Sequence, residues 1–174
     1  MKIILTTIKE LLDLEKPQED ILKICNTIYD MTAFISKDYP EYKSWYQKHL
    51  EGTLDKNSKR DIIYAHDEFG NIFGTALIKQ DKKEKKICTL FVDEKARGQG
   101  IATMLIEKSM EILKTTKPLI TLADYKLPMF QKLITKYGWK QTEIVKGLYN
   151  NKNFELVFNG YLTNQDKNID NETM

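Results

Sequence analysis

The chain has 174 residues, of which 41% are hydrophobic and 30% are charged, and its formal net charge is +2. This composition predicts one globular domain over residues 1–160, and the near-neutral charge gives no reason to expect nucleic acid or a membrane surface as a partner. No apolar run approaches the roughly 20 residues of a membrane-spanning helix, so we expect a cytoplasmic protein without a membrane partner.

The N-terminal half predicts two helices and a hairpin after a first strand. Residues 1–8 are rich in β-branched types, which favours a strand. Residues 17–36 place apolar side chains at helical spacing behind an acidic first turn, and residues 38–52 indicate a second, shorter helix. Residues 60–80 alternate around a polar turn, a pattern typical of a β-hairpin.

The C-terminal half alternates strands with helices. The predicted elements are a strand at 85–92, a helix at 101–114, a strand at 117–124, a helix at 127–137 and strands at 139–146 and 153–160. This order predicts an α/β (α+β) fold with a single mixed, mostly antiparallel central sheet of about seven strands, flanked by about four helices. The polar residues 161–174 are predicted to form a disordered tail.

Two glycines lie between the strand at 85–92 and the helix that follows it. Gly98 and Gly100 lack a Cβ, so the backbone can adopt positive φ and bring its N–H groups close to a bulky anion. The first N–H groups of the helix have no intrahelical partner, and the helix dipole adds partial positive charge, which suits a diphosphate. Lys95 and Arg97 add two cations, although a plain connecting loop is the more common meaning of two nearby glycines.

Two other phosphate-binding motifs fit this loop less well. The Walker A loop is excluded because no Gly-Lys-Ser/Thr follows. The dinucleotide fingerprint G-x-G-x-x-G matches Gly98 and Gly100, and Asp124 lies where its ribose-binding acid is expected. Its third glycine is replaced by Thr103, and hairpins stand where βαβ units are needed, so a dinucleotide-binding domain is the second choice.

The loop sequence Arg-Gly-Gln-Gly-Ile-Ala at 97–102 resembles the R/Q-x-x-G-x-G/A signature of the GNAT superfamily of acetyltransferases. Residues 90–113 resemble that family's strand, loop and long helix, and the helix closing on Gly138-Trp139 resembles its late helix. The order of elements from the first strand to Gly160 is similar to the GNAT fold as well.

The resemblance implies an N-acetyltransferase that uses acetyl-CoA as cosubstrate, acts on a small-molecule or protein amine, and is a monomer or homodimer without a metal. The backbone of Leu90, Phe91 and Val92 is expected to bind the pantetheine arm. The loop residues that are expected to hold the diphosphate are Arg97, Gly98, Gln99, Gly100, Ile101, Ala102 and Thr103. A neutral amine would attack the thioester directly, with main-chain N–H groups stabilising the oxyanion. A non-catalytic CoA-binding sensor is the alternative.

The sequence departs from the family pattern where a proton donor is expected. The tyrosine that many relatives use to protonate the CoA thiolate is replaced by Ile134, and the polar residue usual at the start of that helix aligns with Leu127. Tyr125 is the first substitute and Tyr137 the second. Glu84 lies at the spacing of a catalytic glutamate of some relatives, although its polar turn favours a solvated residue.

Three further groups have side chains of types that occur in active sites. His49 and His66 are interpreted as surface residues rather than bases. Cys25 and Cys88 are interpreted as reduced core thiols rather than as a disulfide, a metal site or an acyl-enzyme nucleophile. An aromatic group, interpreted as core packing rather than an acceptor pocket, comprises Tyr39, Tyr42, Trp45 and Tyr46.

Overall fold

The computed structural model describes residues 1–162, so the predicted tail lies almost wholly outside the described residues. Within that range the strands are β1 (Ile4–Thr7), β2 (Arg60–His66), β3 (Ile72–Gln80), β4 (Lys85–Val92), β5 (Ile120–Ala123), β6 (Gln141–Lys146) and β7 (Phe154–Phe158). The α-helices are α1 (Ile8–Asp13), α2 (Gln18–Thr32), α3 (Tyr42–Leu54), α4 (Ile101–Leu113) and α5 (Leu127–Tyr137). None of the helices in the described part is long and apolar enough to cross a bilayer.

The strands form two antiparallel sheets, so the prediction of a single seven-stranded sheet is wrong. The first sheet has the order β1-β2-β3-β4 and the second the order β5-β7-β6. They meet at an isolated parallel bridge between Lys86 and Leu119. Two backbone hydrogen bonds hold this junction, from the Ile87 N–H to the Leu119 carbonyl (3.1 Å) and from the Leu119 N–H to the Lys85 carbonyl (2.8 Å).

A β-bulge in β4 accounts for the split. Thr89 faces Leu77 and Ile87 faces Ile78, so Cys88 has no partner on β3. An extra residue of this kind bends its strand and increases the local twist. Beyond the bulge β4 therefore turns away from β5. The apolar pattern of the strand carries no sign of a bulge, which is why the sequence predicted a continuous sheet.

The described chain has five α-helices where about four were predicted, and the additional one is α1. Thr7 ends β1 and caps α1, because its hydroxyl accepts the Glu10 N–H and the Glu10 carboxylate accepts the Thr7 N–H, each at 3.0 Å. This reciprocal pair is a capping box, and it satisfies two backbone donors at the helix start. The strand predicted at 1–8 is therefore shorter, Ile4–Thr7, and its expected last residue, Ile8, is the first residue of α1.

The first sheet carries a core on each face. Ile63 and Ala65 pack toward α4, whereas Ile62 and Tyr64 pack toward α2 and α3. This alternation follows from the two-residue period of a strand. Since both faces are covered, the place where β4 leaves β5 is bordered by different elements on either side of the sheet.

Candidate active site

A cavity of about 600 Å³ lies where β4 and β5 diverge. Its volume is typical of a small-molecule site. We call the wall formed by Arg97, Gly98, Gly100, Ile101, Ala102 and Thr103 the loop side. We call the wall formed by Phe34, Tyr39, Tyr42, Trp45 and Tyr149 the aromatic side.

The loop side presents bare backbone to the cavity. Gly98 and Gly100 have φ values of 81° and 80°, as their positions predicted. A Cβ built on either glycine meets nothing within 4 Å, so the space in front of the loop is open. The first intrahelical bond of α4 runs from the Met104 N–H to the Gly100 carbonyl at 3.0 Å. The preceding N–H groups at the helix start are therefore available to an anion, and the first turn contains no acidic side chain.

Most of the predicted loop residues line this wall, and the exception is Gln99. Arg97 is held at the rim, where its Nε–H donates to the Val92 carbonyl at 3.3 Å and its guanidinium lies 4.0 Å from the Glu94 carboxylate. Gln99 is exposed and does not line the cavity. A binding role for this part of the loop thus rests on main chain and on one cation.

β4 is the wall that the two sides share. The predicted residues Leu90, Phe91 and Val92 all line the cavity. Leu90 and Val92 pack against the core under α4, while the Phe91 ring lies 5.4 Å from the Phe34 ring on the aromatic side. Among the described residues no backbone hydrogen bond joins β4 to β5 beyond the junction at Leu119. The edge of β4 is therefore open to an extended ligand.

The aromatic side combines packing with cavity lining. Tyr46 is buried and donates its hydroxyl to the Cys25 carbonyl at 2.6 Å, as the core-packing interpretation predicts. Tyr42 is also buried in the core, yet it borders the cavity together with Trp45. The Tyr39 ring meets the ring of Tyr149 edge-on, with centroids 4.8 Å apart.

A buried carboxyl group that the sequence analysis did not identify stands behind this wall. Glu155 of β7 is 4% exposed and accepts the Tyr39 hydroxyl at 3.0 Å. Burial raises the pKa of Glu155 to about 7, against the opposing effects of Tyr39, Thr121 and Lys126. Burial also raises the pKa of Tyr39. The available signal was a single charged residue inside the apolar strand Phe154–Phe158.

Asp38, in the segment before α3, forms an ion pair and hydrogen bonds with residues of the C-terminal half. Its carboxylate lies 3.4 Å from Lys126 Nζ and accepts the Tyr125 hydroxyl, and its carbonyl accepts the Asn150 side-chain amide. Lys126 Nζ also lies 5.5 Å from the centre of the Tyr39 ring. The aromatic side is therefore assembled from segments that are far apart in the chain.

Neither predicted tyrosine lines the cavity. Tyr125 lies outside the cavity and is 56% exposed. The partial burial of its phenol and the neighbouring Asp38 carboxylate raise the pKa of Tyr125 to about 12. Tyr137 donates its hydroxyl to Glu107 at 3.0 Å and stacks on Trp139, with ring centroids 5.4 Å apart. The structure thus does not bring these two phenols together with the loop.

Glu84 is buried, so the interpretation of its turn as solvated is wrong. Its Oε1 lies 2.6 Å from Lys79 Nζ, and the residue is 8% exposed. The cause is the turn itself, because the Asp81 carboxylate accepts the N–H groups of Lys83 (2.7 Å) and Glu84 (2.9 Å) and folds the segment back. Lys79 lines the cavity, whereas Glu84 does not.

The two histidines lie away from the cavity. His49 is fully buried rather than on the surface, because α3 packs this face against β2, and its Nε2–H donates to the Asp61 carbonyl at 3.0 Å. Burial lowers the pKa of His49 to about 3. His66 is half-buried, with its ring nitrogens 2.9 Å from the Thr6 hydroxyl and 2.8 Å from the Asp67 carbonyl.

The two cysteines differ in their surroundings. Cys25 is a core thiol as predicted, and burial raises its pKa to about 12. Cys88 lies at the bulge and lines the cavity instead of the core, and burial also raises the pKa of its thiol. In the part of the chain that the structure describes, no group of three or more His, Cys, Asp or Glu side chains is arranged to hold a metal ion.

A family model for acetyltransferases of the GNAT family matches residues 19–125, which is more than half of the chain. The chain belongs to the GNAT family. The matched region contains β4, the glycine loop and α4, and the family assignment together with the antiparallel sheets excludes the dinucleotide-binding domain. No curated protein sequence matches the chain.

Solved acetyltransferase structures share the fold at low sequence identity. The ribosomal-protein-S18-alanine N-acetyltransferase of Escherichia coli is 9% identical, with 93% of this chain and 97% of that chain covered and a TM-score of 0.62. A GNAT acetyltransferase of Elizabethkingia anophelis with acetyl-CoA bound is 18% identical, with coverage of 64% and 80% and a TM-score of 0.50. Nourseothricin acetyltransferase is 13% identical, with coverage of 57% and 64% and a TM-score of 0.52.

Proposed function

We propose that this GNAT protein is an N-acetyltransferase that moves the acetyl group of acetyl-CoA to a primary amine. The observation that carries the proposal is the cavity in the open edge between β4 and β5, with a glycine loop at one wall. A GNAT relative of the same fold has acetyl-CoA bound, which supports the choice of donor.

We propose that the loop side binds the diphosphate of CoA. Positive φ at Gly98 and Gly100, with open space where a Cβ would stand, fits a ligand that approaches the backbone closely. The N–H groups at the start of α4 and the Arg97 guanidinium supply the positive potential. The pantetheine arm would then lie along Leu90–Val92 as an added strand.

The reaction follows from this arrangement. A neutral amine enters from the aromatic side and attacks the thioester carbonyl, so that the N–C bond forms and the C–S bond breaks. Main-chain N–H groups at the open edge of β4 stabilise the oxyanion, which is a large contribution where the donors are fixed in advance. The two ligands would approach from opposite faces of the sheet, an arrangement that allows both to be bound at once, and we propose that the transfer is direct within this ternary complex.

The departing thiolate needs little help from the protein. Its conjugate thiol has a pKa of about 8.5 by analogy with cysteine. Tyr125, Tyr137 and Glu84 do not line the cavity, and Ile134 is buried in the core and has no proton to give. We propose that the second proton of the acylated amine, or a water molecule, reaches the thiolate.

The test is acetyl-CoA turnover over a panel of spermidine, L-lysine, tyramine and a short peptide with a free N-terminus, measured by released thiol. Acetylation of any of these amines supports the enzyme. Tight CoA binding without turnover would indicate the non-catalytic sensor instead. CoA should raise the thermal midpoint, since a ligand that binds only the native state stabilises it, and NAD should not.

A further inference from the structure

Resting on the proposed function, we infer that Glu155, acting through the Tyr39 hydroxyl, accepts the proton that the acceptor ammonium must lose before it attacks. Tyr39 is the residue that touches the amine, and Glu155 receives the proton behind it. This role adds a proton-transfer step to the proposed acetyl transfer. It also implies that the acceptor is an amine that is protonated at neutral pH.

The Tyr39–Glu155 pair lies at the wall of the cavity from which we propose that the acceptor amine enters. Tyr39 lines the cavity on the aromatic side, which is the side open to an acceptor once the loop side holds CoA. Its hydroxyl donates to Glu155 Oε1 at 3.0 Å, so the phenol oxygen keeps a lone pair for an incoming N–H. Glu155 itself is 4% exposed and pairs with Ala123 at the end of β5. A proton from the cavity can therefore reach Glu155 through a single intervening group, the Tyr39 hydroxyl.

The balance of protons is simple. The ammonium N–H breaks and its proton passes to the Tyr39 oxygen, while the Tyr39 O–H proton passes to Glu155 Oε1. Tyr39 is neutral before and after the step, which agrees with the raised pKa of its phenol. Glu155 releases the proton to solvent after turnover. The neutral primary amine keeps two N–H protons; one of them passes to the thiolate when the amide forms, and the other stays as the amide N–H.

Burial makes Glu155 a better proton acceptor than an exposed glutamate. An alkyl ammonium has a pKa of about 10.4 and an ordinary glutamic acid one of about 4.3. Burial raises the pKa of Glu155 to about 7, which narrows this difference substantially while the group still ionises at neutral pH. The ionisable and charged groups that face the pair are Lys86, Lys126, Asp38 and Tyr149.

The other buried ionisable groups do not offer such a path. His49 of α3 is fully buried against β2 and does not line the cavity. Asp61 is 6% exposed and its carboxylate caps the first turn of α1 by accepting the Lys9 N–H at 3.2 Å. Glu84 is also buried, but its partner in the cavity wall is the Lys79 ammonium, which has no lone pair to accept a proton. The cavity-wall partner of Glu155 is the Tyr39 hydroxyl, which can both accept and donate a proton.

The test compares Glu155→Gln and Tyr39→Phe with the parent, using the best amine of the panel. Both substitutions keep the size of the side chain, and an acetyl-CoA-induced rise of the thermal midpoint equal to that of the parent shows that each variant is folded. The matched controls are Asp61→Asn and Tyr46→Phe, which remove a buried carboxylate and a buried hydroxyl outside the cavity.

We expect kcat/KM at pH 7 to fall by about 10²- to 10⁴-fold in both test variants, the usual size of general-base catalysis, and to stay within about threefold in the controls. In the parent, kcat/KM should rise through about pH 7 as Glu155 ionises, and this step should disappear in Glu155→Gln. The fold-loss of kcat/KM in the variants should shrink at least tenfold by pH 10, because about a quarter of an alkyl amine with a pKa of about 10.4 is then neutral without help, against less than about 0.1% at pH 7.

Three outcomes overturn the inference. Parent-like activity and pH dependence in both variants would remove Glu155 and Tyr39 from proton transfer while leaving the acetyltransferase intact. An equal deficit at pH 7 and pH 10 would indicate a structural role. If the parent acetylates no amine of the panel, the proposed function itself fails, and the inference fails with it.

Discussion

The two sides of the cavity are built in opposite ways. The loop side comes from one short segment, 97–103, in which every residue except Gln99 lines the cavity, and it uses backbone groups at positive φ and at a helix start. The aromatic side uses side chains from distant segments, and its Tyr39–Glu155 hydrogen bond spans 116 positions of the chain. A site made of main chain leaves a local motif in the sequence, whereas a site assembled from scattered side chains leaves none.

The largest expected effect tests the loop side. Gly100→Val should weaken CoA binding by at least tenfold, because a β-branched residue is strained at a φ of 80° and its side chain occupies the open space in front of the loop. The measurement is a CoA titration by calorimetry. Arg97→Ala should weaken binding less, since one exposed cation is lost and the backbone groups remain.

A second glycine provides the control for backbone strain. Gly70 has a φ of 86° and also no neighbour within 4 Å of a built Cβ, but it lies in the β2–β3 turn away from the cavity. Gly70→Val should lose stability like Gly100→Val and keep the CoA affinity of the parent. Equal CoA affinity in the two glycine variants would show that the diphosphate does not lie on this loop.

The elements that carry the aromatic side should be sensitive to acid. The folded-state pKa of His49 is lowered from 6.5 to about 3, so its contribution to stability is present above pH 6.5 and is lost as the pH falls toward 3. Asp61 acts in the opposite sense, because its raised pKa of about 6 favours the fold as the pH falls from 6 to 3.8. The His49 contribution is the larger, on the order of several kcal/mol.

Urea unfolding at pH 7 and pH 4 measures this difference. His49→Gln, which can still donate to the Asp61 carbonyl, should lose less unfolding free energy between the two pH values than the parent does. An equal loss in the parent and the variant would contradict a histidine that is buried in its neutral form.

A smaller effect is expected at the tyrosine that the sequence ranked first as proton donor. Tyr125 lies outside the cavity, and its hydroxyl is joined to Asp38, which also holds Lys126. Tyr125→Phe should therefore change the acceptor KM by a few-fold and leave kcat nearly unchanged in steady-state assays. A tenfold or greater fall in kcat at constant KM would restore Tyr125 as the general acid.

The smallest effect is expected at the bulge between the two sides. Burial raises the pKa of the Cys88 thiol, so little of the reactive thiolate exists at pH 7. Cys88→Ala should keep kcat within about twofold, and mass spectrometry after quenching should find no acetylated Cys88. Detection of an acetyl thioester on Cys88 during turnover would replace direct transfer by a covalent intermediate.

The sequence predicted the features that depend on local pattern. The helices α2 to α5, the β2–β3 hairpin and the positive φ of Gly98 and Gly100 all follow from nearby residues. The split of the sheet did not, because the bulge at Cys88 changes pairing without changing the apolar pattern. The burial of His49 and Glu155 was missed for a related reason, since their partners lie in other segments of the chain.

The most direct test of the account is the response of backbone amides to acetyl-CoA, measured by ¹⁵N–¹H NMR on the labelled protein. We expect the largest chemical-shift changes on Leu90–Val92 and on Arg97–Thr103, with smaller changes in α3. Large changes confined to α3 and the β6–β7 segment, with Arg97–Thr103 unaffected, would contradict it, because the donor would then bind on the aromatic side.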